Sequence, residues 1–330
     1  EYTILNNLFS SLRVTFAKSR ILRLQGESLF TWKDIGANVT PMAPDPGLAF
    51  PVATITNGYP ATAFPGEFKS MTWQISEDID WTKGAHQVAL GAIWIRPKLD
   101  ALGPFQANGW FTFNGSRTGG GRLGFADLLL GLPSQFRQGG IQDIQQHMNY
   151  VGAYLQDTWR VSDRLTLNAG VRWEPYYSAV DEAGYASHFE LDNFFSGTRS
   201  TVYTNAPAGL MYPGDSGYPG TSFNRNSLKQ FAPRLGFVWD PSGNGRQTIR
   251  AAVGIFYEMP KMWQYGRAPL NPPFGNTIVV NNPASFANPW ATYAGGNPFP
   301  LQKPVPANVT YPQFGSFVNM PLDAKPTQLQ

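Results

Sequence analysis

Apolar and polar residues alternate strictly along several segments of this chain. In residues 165–174 every second side chain is apolar, and the positions between them are polar or glycine. Because successive side chains of a β-strand point to opposite faces, this period of two predicts a strand with one apolar and one polar face. Residues 150–161 repeat the pattern, interrupted by Asp157 on the apolar side. The short interval between the two segments predicts a β-hairpin with its turn at Ser162–Arg164.

The same alternation predicts further hairpins and strands. One hairpin is expected around a turn at Thr82–Ala85, and another around Asp240–Gly245, which is dense in turn-forming residues. Separate strands are expected at Leu8–Phe16 and Trp110–Phe113. The segment Phe125–Pro133 breaks the pattern, and we expect it to form a packed loop or one or two helical turns.

Strands are therefore expected mainly in residues 1–20 and 69–260, with long loops at 21–68, 178–229 and 259–330. Structureless connections of this length are unusual in a compact soluble domain. Short turns at one edge and long loops at the other are typical of an outer-membrane β-barrel. We expect the turns at the periplasmic edge and the loops at the extracellular edge, with residues 178–229 and 259–330 poorly packed or mostly irregular.

The polarity of the two faces makes a prediction about substitutions. If the sheet lies in lipid, Leu167, Val171 and Trp173 point outward, and Arg172 points into an aqueous lumen. An Arg on the lipid face costs about 2–4 kcal/mol at the midplane. We therefore expect Val171→Arg to impair assembly and Arg172→Val to be tolerated.

Composition supports a membrane-spanning β-protein. Charged residues make up 14% of the 330 residues, against about a quarter in ordinary soluble domains. The chain has 34 Gly and 28 Pro, and no run of apolar residues is long enough for a transmembrane helix. Trp81, Trp159 and Trp239 each lie on an apolar face near a short turn, where a membrane barrel carries an aromatic girdle. The alternative is a soluble β-sandwich with these rings in its core.

Several kinds of chemistry are disfavoured. The chain has no Cys and a net charge of +3 without a basic cluster, so we expect no disulfide, no nucleic-acid partner and no cofactor. The run Gly214–Gly217 resembles a serine-protease nucleophile motif, and Gly119, Gly121 and Gly124 match a dinucleotide-binding spacing. Neither has the supporting residues or elements. We expect no enzyme activity.

Four aromatic residues of the long loops are candidate ligand-binding residues: Trp263, Tyr265, Trp290 and Tyr293. Exposed aromatic rings stack on sugars or on aromatic ligands. The alternative is that these rings pack the loops against one another.

The best-defined hairpin also resembles a known family. Residues Tyr154–Val161 and Leu165–Glu174 closely resemble a barrel hairpin of TonB-dependent outer-membrane receptors. Residues Phe231–Pro241 and Gly254–Glu258 are similar to the next hairpin of the Oar-like branch, which carries an N-terminal carboxypeptidase-regulatory-like domain. Lys83–His86 and the segment Phe125–Pro133 fit the same branch. The resemblance covers about residues 70 to 260.

The resemblance implies a barrel of about 22 strands, closed by a plug domain and energised by TonB from the inner membrane. The chain shows no plug domain and no TonB box, so we expect residues 1–330 to form about 7–10 strands of that barrel. The implied partners are outer-membrane lipid of a Gram-negative bacterium, the TonB complex through the plug, and an imported siderophore, glycan or peptide. An adhesive or structural barrel and a secreted carbohydrate-binding β-protein are the alternatives.

Overall fold

The computed structural model describes residues 2–24, 30–43, 46–58, 65–104, 106–119, 123–258, 261–275, 277–311, 317–319, 322–323 and 328–329. The strands in these residues are β1 Tyr2–Leu5, β2 Leu8–Arg23, β3 Val52–Ile55, β4 Gly66–Lys83, β5 His86–Gly103, β6 Trp110–Phe113, β7 Gln135–Gln138, β8 Gln142–His147, β9 Tyr150–Ser162, β10 Leu165–Trp173, β11 Val180–Asp181, β12 His188–Phe189, β13 Leu210–Met211, β14 Phe231–Trp239, β15 Ile249–Phe256, β16 Ile278–Asn281 and β17 Gln328–Leu329. The helices are α1 Gly124–Leu129 and α2 Leu191–Phe195, with 3-10 turns at Pro46–Leu48, Met262–Tyr265 and Ala268–Leu270. None of the helices in the described ranges is long and apolar enough to cross a membrane.

The long strands form one antiparallel sheet, which we call the wall. Its order is β1-β2-β4-β5-β9-β10-β14-β15-β17, and β8 extends the line of β9 along β5. Strands β2, β4 and β5 are 16, 18 and 18 residues long, more than the roughly 9–11 residues that cross a bilayer at a tilt. The predicted fold class, an all-β antiparallel barrel wall, is confirmed.

The short turns lie at one edge of the wall. The hairpins close at the pairs Lys83↔His86, Ser162↔Leu165 and Trp239↔Ile249. Between hairpins, His86 pairs with Trp159 and Leu165 pairs with Trp239, which places the three turns side by side. The long connections leave from the opposite edge, so the prediction that the three turns share one edge is confirmed, and its assignment to the periplasm stays a prediction.

The first wall strands run further than the alternation predicts. Strand β2 continues past Phe16 to Arg23, and β4 begins at Gly66. Lys18 and Arg20 lie on the same side of β2 as the apolar residues before them, so the alternation stops while the backbone ladder continues. Alternation predicts only the part of a strand whose two faces differ in polarity. Backbone hydrogen bonds hold the whole strand, including the part without alternation.

The apolar face of the wall is open. It carries Leu12, Val14, Leu155, Leu235 and Val253, each more than half exposed (53–62%). The tryptophans near the turns, Trp81, Trp159 and Trp239, lie on this face and are 36%, 41% and 43% exposed. A soluble sandwich would bury this face under a second sheet, and no described element covers it. The arrangement is that of a sheet whose apolar side faces lipid.

The loops pack into a structure that we call the cap, formed by the described parts of residues 30–58, 106–141, 174–230 and 261–311. The described parts of loops 178–229 and 259–330 are mostly irregular, as predicted, but they are well packed rather than poorly packed. The main buried cluster of the described chain lies here and is rich in aromatic rings: Trp32, Phe111, Phe113, Phe136, Trp290 and Phe299. A four-stranded sheet, β16-β7-β6-β3, supports it. Apolar side chains of each loop segment are buried against the other segments, and a single loop would lack such partners.

The segment Phe125–Pro133 belongs to the cap. Helix α1 occupies its first part, in line with the helical alternative, and the backbone N–H of Gly124 donates to the carbonyl of Thr56. Residues 106–141 belong to the predicted strand-rich range 69–260, but they form part of the cap and not of the wall. Strand β6, Trp110–Phe113, pairs with β3 and β7 there.

Candidate functional site: the polar face and the mouth

The polar face of the wall lines a cavity of about 730 Å³. Strand register places opposed residues on the same face, so Asn168 and Thr158 lie together, as do Arg172 and Tyr154. The same alternation that makes the other face apolar therefore collects amides, hydroxyls and guanidiniums here. The cavity is lined on this side by Tyr154, Gln156, Thr158, Asn168, Arg172, Arg234, Arg250 and Phe256.

Glycines allow the long side chains to lie flat on this face. A Cβ at Gly152 would come within 2.5 Å of Arg172 Nη2, and one at Gly91 within 2.6 Å of Tyr154 Cε1. Arg234 lies over Gly254 in the same way, with its Cγ 3.2 Å from an added Cβ. A flat polar lining keeps the cavity open for a ligand or for another domain.

The β4 side of the polar face is acidic. Asp78 accepts hydrogen bonds from Arg13 Nη1 and Tyr154 Oη, both at 2.8 Å. Asp78 is therefore already paired with a cation of the protein, the Arg13 guanidinium. Within the described ranges, no three His, Cys, Asp or Glu side chains are grouped to hold a metal ion.

A buried ion pair fixes one arginine where the wall meets the cap. Arg172 Nε donates to Glu174 Oε1 at 2.8 Å, and Arg172 Nη2 donates to Tyr150 Oη at 3.0 Å. The Tyr150 hydroxyl in turn donates to Glu174, whose side chain is only 8% exposed. Removing one partner of such a pair costs about 3–5 kcal/mol because a charge is left buried and unpaired. The tolerance of Arg172→Val stays a prediction, and this ion pair argues against it.

The opposite side of the polar face is basic. Arg234 and Arg250 line the cavity, and neither forms an ion pair with a described residue. Arg234 lies 4.4 Å from the ring centre of Phe256, an arrangement that leaves the guanidinium edge accessible. The lining thus changes from acidic on β4 to basic on β14 and β15.

A second cavity, of about 350 Å³, lies where the polar face meets the cap, and we call it the mouth. Trp263 stands over it, 55% exposed, with its ring centre 6.3 Å from that of Phe68. The Arg23 guanidinium lies 4.9 Å from the Phe68 ring centre. Phe68 and Arg23 fell in the expected loop 21–68, and only the extension of β2 and β4 brings them to this site.

The four candidate aromatic residues have different surroundings. Trp290 is 1% exposed in the core of the cap, and Tyr293 packs on it at 5.5 Å between ring centres. Tyr265 is 4% exposed, and its hydroxyl donates to Asn224 at 2.8 Å. These placements fit the packing alternative for three residues, whereas Trp263 has an accessible ring. Ligand binding by these residues stays a prediction.

The protease-like run Gly214–Gly217 contains a structural aspartate. Asp215 accepts hydrogen bonds from the Thr201 and Tyr212 backbone N–H groups at 2.7 and 2.9 Å. Although burial acts to raise the pKa of Asp215, hydrogen bonds led by that of Ser200 outweigh it and hold the pKa below its ordinary value. In the glycine motif, Gly121 lies outside the described residues.

Comparisons with known proteins agree with this architecture. The family model described as an outer membrane beta barrel domain matches residues 1–330. Among solved structures 17 chains match, and one is the copper transporter OprC, with 12% sequence identity and a TM-score of 0.36. That alignment covers 79% of this chain and 29% of the OprC chain, so the chain spans less than a third of that protein's length. No curated protein gives a significant match.

Proposed function

The chain belongs to the outer membrane beta barrel domain family, and on this premise we propose that it forms part of a TonB-dependent receptor that imports a bulky ligand. It is a wall segment of a β-barrel in the outer membrane of a Gram-negative bacterium. The apolar face is then the lipid-facing side, and the polar face lines the lumen.

The observation that carries the proposal is the flat polar lining under a packed cap. Side chains that lie along the wall over Gly91, Gly152 and Gly254 leave an open passage. Arg234 and Arg250, which form no ion pair with a described residue, face that passage. A route for a large polar ligand requires both properties, because a narrow or fully ion-paired lumen neither admits nor attracts it.

The sheet edges support a larger barrel. In the described residues the path from β1 to β17 does not close on itself, and open edges in lipid leave backbone groups unpaired. We propose that further strands, of the Oar-like type, complete the barrel and that a plug domain within it contacts TonB. The ligand is a siderophore, a glycan or a peptide, and the proposal assigns the chain no catalytic step.

An adhesive role is the second candidate, and a specific observation favours it. The cap displays apolar side chains that nothing described covers: Leu129 is 84% exposed, Leu130 66% and Phe195 79%. Exposed apolar patches of this kind mark contacts with other proteins. The third alternative, a secreted carbohydrate-binding protein, conflicts with the open apolar face and the family.

Growth on defined sources tests the proposal. Cells are given iron-loaded siderophores, glycans or peptides as the sole source of iron, carbon or nitrogen, and strains lacking either the complete receptor or TonB are compared. We expect that one of the three classes of source supports growth of the parent strain but of neither mutant strain. Growth that requires the receptor but not TonB would overturn energised import, and loss of surface attachment without loss of uptake would favour adhesion.

A matched pair of variants connects uptake to the polar face. Arg234→Ala removes an unpaired cation from the lumen lining, and Arg246→Ala removes one from the exposed periplasmic turn. A hydrogen bond to a charged group contributes about 1.5–3 kcal/mol, so we expect at least about tenfold weaker uptake for an anionic ligand in the first variant only. Equal uptake by both variants would remove Arg234 from the route.

A further inference from the structure

The apolar face changes its chemistry near the cap. Its last apolar row contains Phe16 and Trp73, whose ring centres are 4.4 Å apart, and register continues this row to Arg96. An aromatic row on the lipid-facing side marks the level where acyl chains meet head groups. Arg96 thus lies at that boundary, where its Nη1 donates to Asn149 at 3.1 Å.

The next row towards the cap is basic. Register aligns Lys18, Met71, Lys98 and His147 across neighbouring strands. Two residues along a strand tilted near 45° raise this row by about 5 Å above the aromatic row. The row beyond it begins with Arg20 and Lys69. We call Lys18, Arg20, Lys69, Arg96 and Lys98 the basic belt.

The acidic groups near the basic belt begin at its outer row. Asp100 shares the row of Arg20 and Lys69 and lies 3.6 Å from Lys98 Nζ, and Glu67 and Asp143 occupy the row after that. From the cap, Glu182 reaches Lys98 Nζ at 3.0 Å and His147 Nδ1 at 2.9 Å. Cations therefore dominate the level immediately above the acyl chains, and carboxylates follow at the solvent side.

Some cations of the basic belt are paired with carboxylates, and others form no ion pair with a described residue. Glu67 pairs with Arg20 Nε at 2.8 Å and with Lys69 Nζ at 2.9 Å. Lys18 and Arg96 form no ion pair with any residue in the described ranges, and Lys18 is exposed. Cations placed only for solubility need not collect at one depth on one face, whereas cations that meet a lipid phosphate must.

We propose that the basic belt binds the phosphate groups of an anionic glycolipid of the outer leaflet, the lipid A class. The proposal depends on the membrane location of the chain and is independent of the imported ligand, because these residues lie on the side away from the lumen. Phosphates accept charge-assisted hydrogen bonds from Arg and Lys, and each such cation near an anionic surface strengthens binding about fivefold. The carboxylates beyond the belt keep the site open to a phosphate from the lipid side rather than from solution.

The test measures lipid affinity of the complete protein in an uncharged detergent. Lipid A, the same lipid without its phosphates, and inorganic phosphate are titrated against the wild type and against Lys18→Gln/Arg96→Gln/Lys98→Gln. The control, Lys83→Gln/Arg164→Gln/Arg246→Gln, removes as many cations at the periplasmic turns. We expect the belt variant to bind lipid A at least about tenfold more weakly, the control to bind as the wild type does, and added salt to weaken binding.

Three outcomes would overturn the proposal. The first is that the belt variant and the control bind lipid A equally well. The second is that the wild type binds lipid A and the dephosphorylated lipid equally well. The third is that inorganic phosphate competes fully with lipid A. Because Lys98 is ion-paired, the triple variant could assemble poorly; Lys18→Gln alone breaks no pair, and Lys18→Arg is expected to retain binding. Uptake is unchanged in the belt variant if both proposals hold, so failure of one is seen separately from failure of the other.

Discussion

At the residue scale, glycine is needed where large polar side chains cross the wall. At Gly91 an added Cβ would meet Asp78 Oδ1 at 2.6 Å and the backbone carbonyl of Glu77 at 2.7 Å. At Gly152 the nearest atom is the flexible end of Arg172, at 2.5 Å. The two glycines therefore differ in how easily their surroundings can move.

We expect Gly91→Ala to destabilise the barrel by about 1–3 kcal/mol, the usual cost of overpacking. Gly152→Ala should cost less, because Arg172 Nη2 can shift and lose only its hydrogen bond to Tyr150 while Nε keeps its bond to Glu174. Heat-induced unfolding followed by gel mobility compares the two variants. A larger loss for Gly152→Ala would show that the Arg172 position, rather than the backbone contact, limits stability.

Glu77 in β4, like Asp157 in β9, places a carboxylate on the lipid-facing side in the middle of a strand. Glu77 is opposed by Leu12 and Ala92, and Ser10 Oγ donates to its Oε1. A carboxylate on this face is costly at the midplane, and the hydroxyl lowers that cost.

Ser10→Ala should therefore destabilise the barrel by about 1–3 kcal/mol, since it leaves Glu77 without its donor. The double variant Ser10→Ala/Glu77→Leu should recover wild-type stability or exceed it. Urea unfolding in lipid vesicles measures both. If the double variant stays as unstable as Ser10→Ala, the serine acts through another contact.

At the scale of elements, the cap contains a buried acid. Asp181 in β11 is fully buried and accepts hydrogen bonds from the backbone N–H groups of Ala183 and Tyr185. Burial raises the pKa of Asp181 to about 6, and those hydrogen bonds only partly oppose it. In the unfolded cap this carboxyl titrates near its ordinary value of 3.8.

The folded cap thus holds the proton more tightly than the unfolded cap. Its contribution to stability is complete below about pH 4 and is lost as the pH rises through about 6, by up to about 3 kcal/mol. We expect faster hydrogen exchange, corrected for intrinsic rates, in residues 176–190 at pH 7.5 than at pH 5. Asp181→Asn should remove this difference; a difference that persists in the variant would assign it to another group.

The wall could be predicted from the sequence, and the cap could not. Wall strands have one face in lipid and one in water, so each strand carries its own alternating signal. Cap strands such as β7 and β16 have four residues each and pair across more than a hundred positions of the chain. The local sequence does not distinguish exposed Trp263 from buried Trp290, because burial of Trp290 depends on Phe136, which comes from a distant segment.

At the scale of the whole molecule, polarity is layered in two directions. Across the wall, lipid-facing apolar side chains stand opposite a polar lumen. Along the lipid-facing side, tryptophans near the turns are followed by an apolar band, a second aromatic row and the basic belt. The two gradients together give the sheet both an orientation and a depth in the outer membrane.

Spin labelling tests the lipid-facing assignment most directly. Residues 1–330 contain no Cys, so a cysteine introduced at 171 or 168 is the single labelling position in this chain, and the labelled protein is studied in vesicles. Val171 is 42% exposed on the apolar face, and Asn168 lies on the polar face beside Thr158. A label at 171 should relax with lipid-soluble oxygen, and one at 168 with an aqueous relaxant. Equal aqueous access at both positions, or a dry protein core around 171, would contradict the barrel.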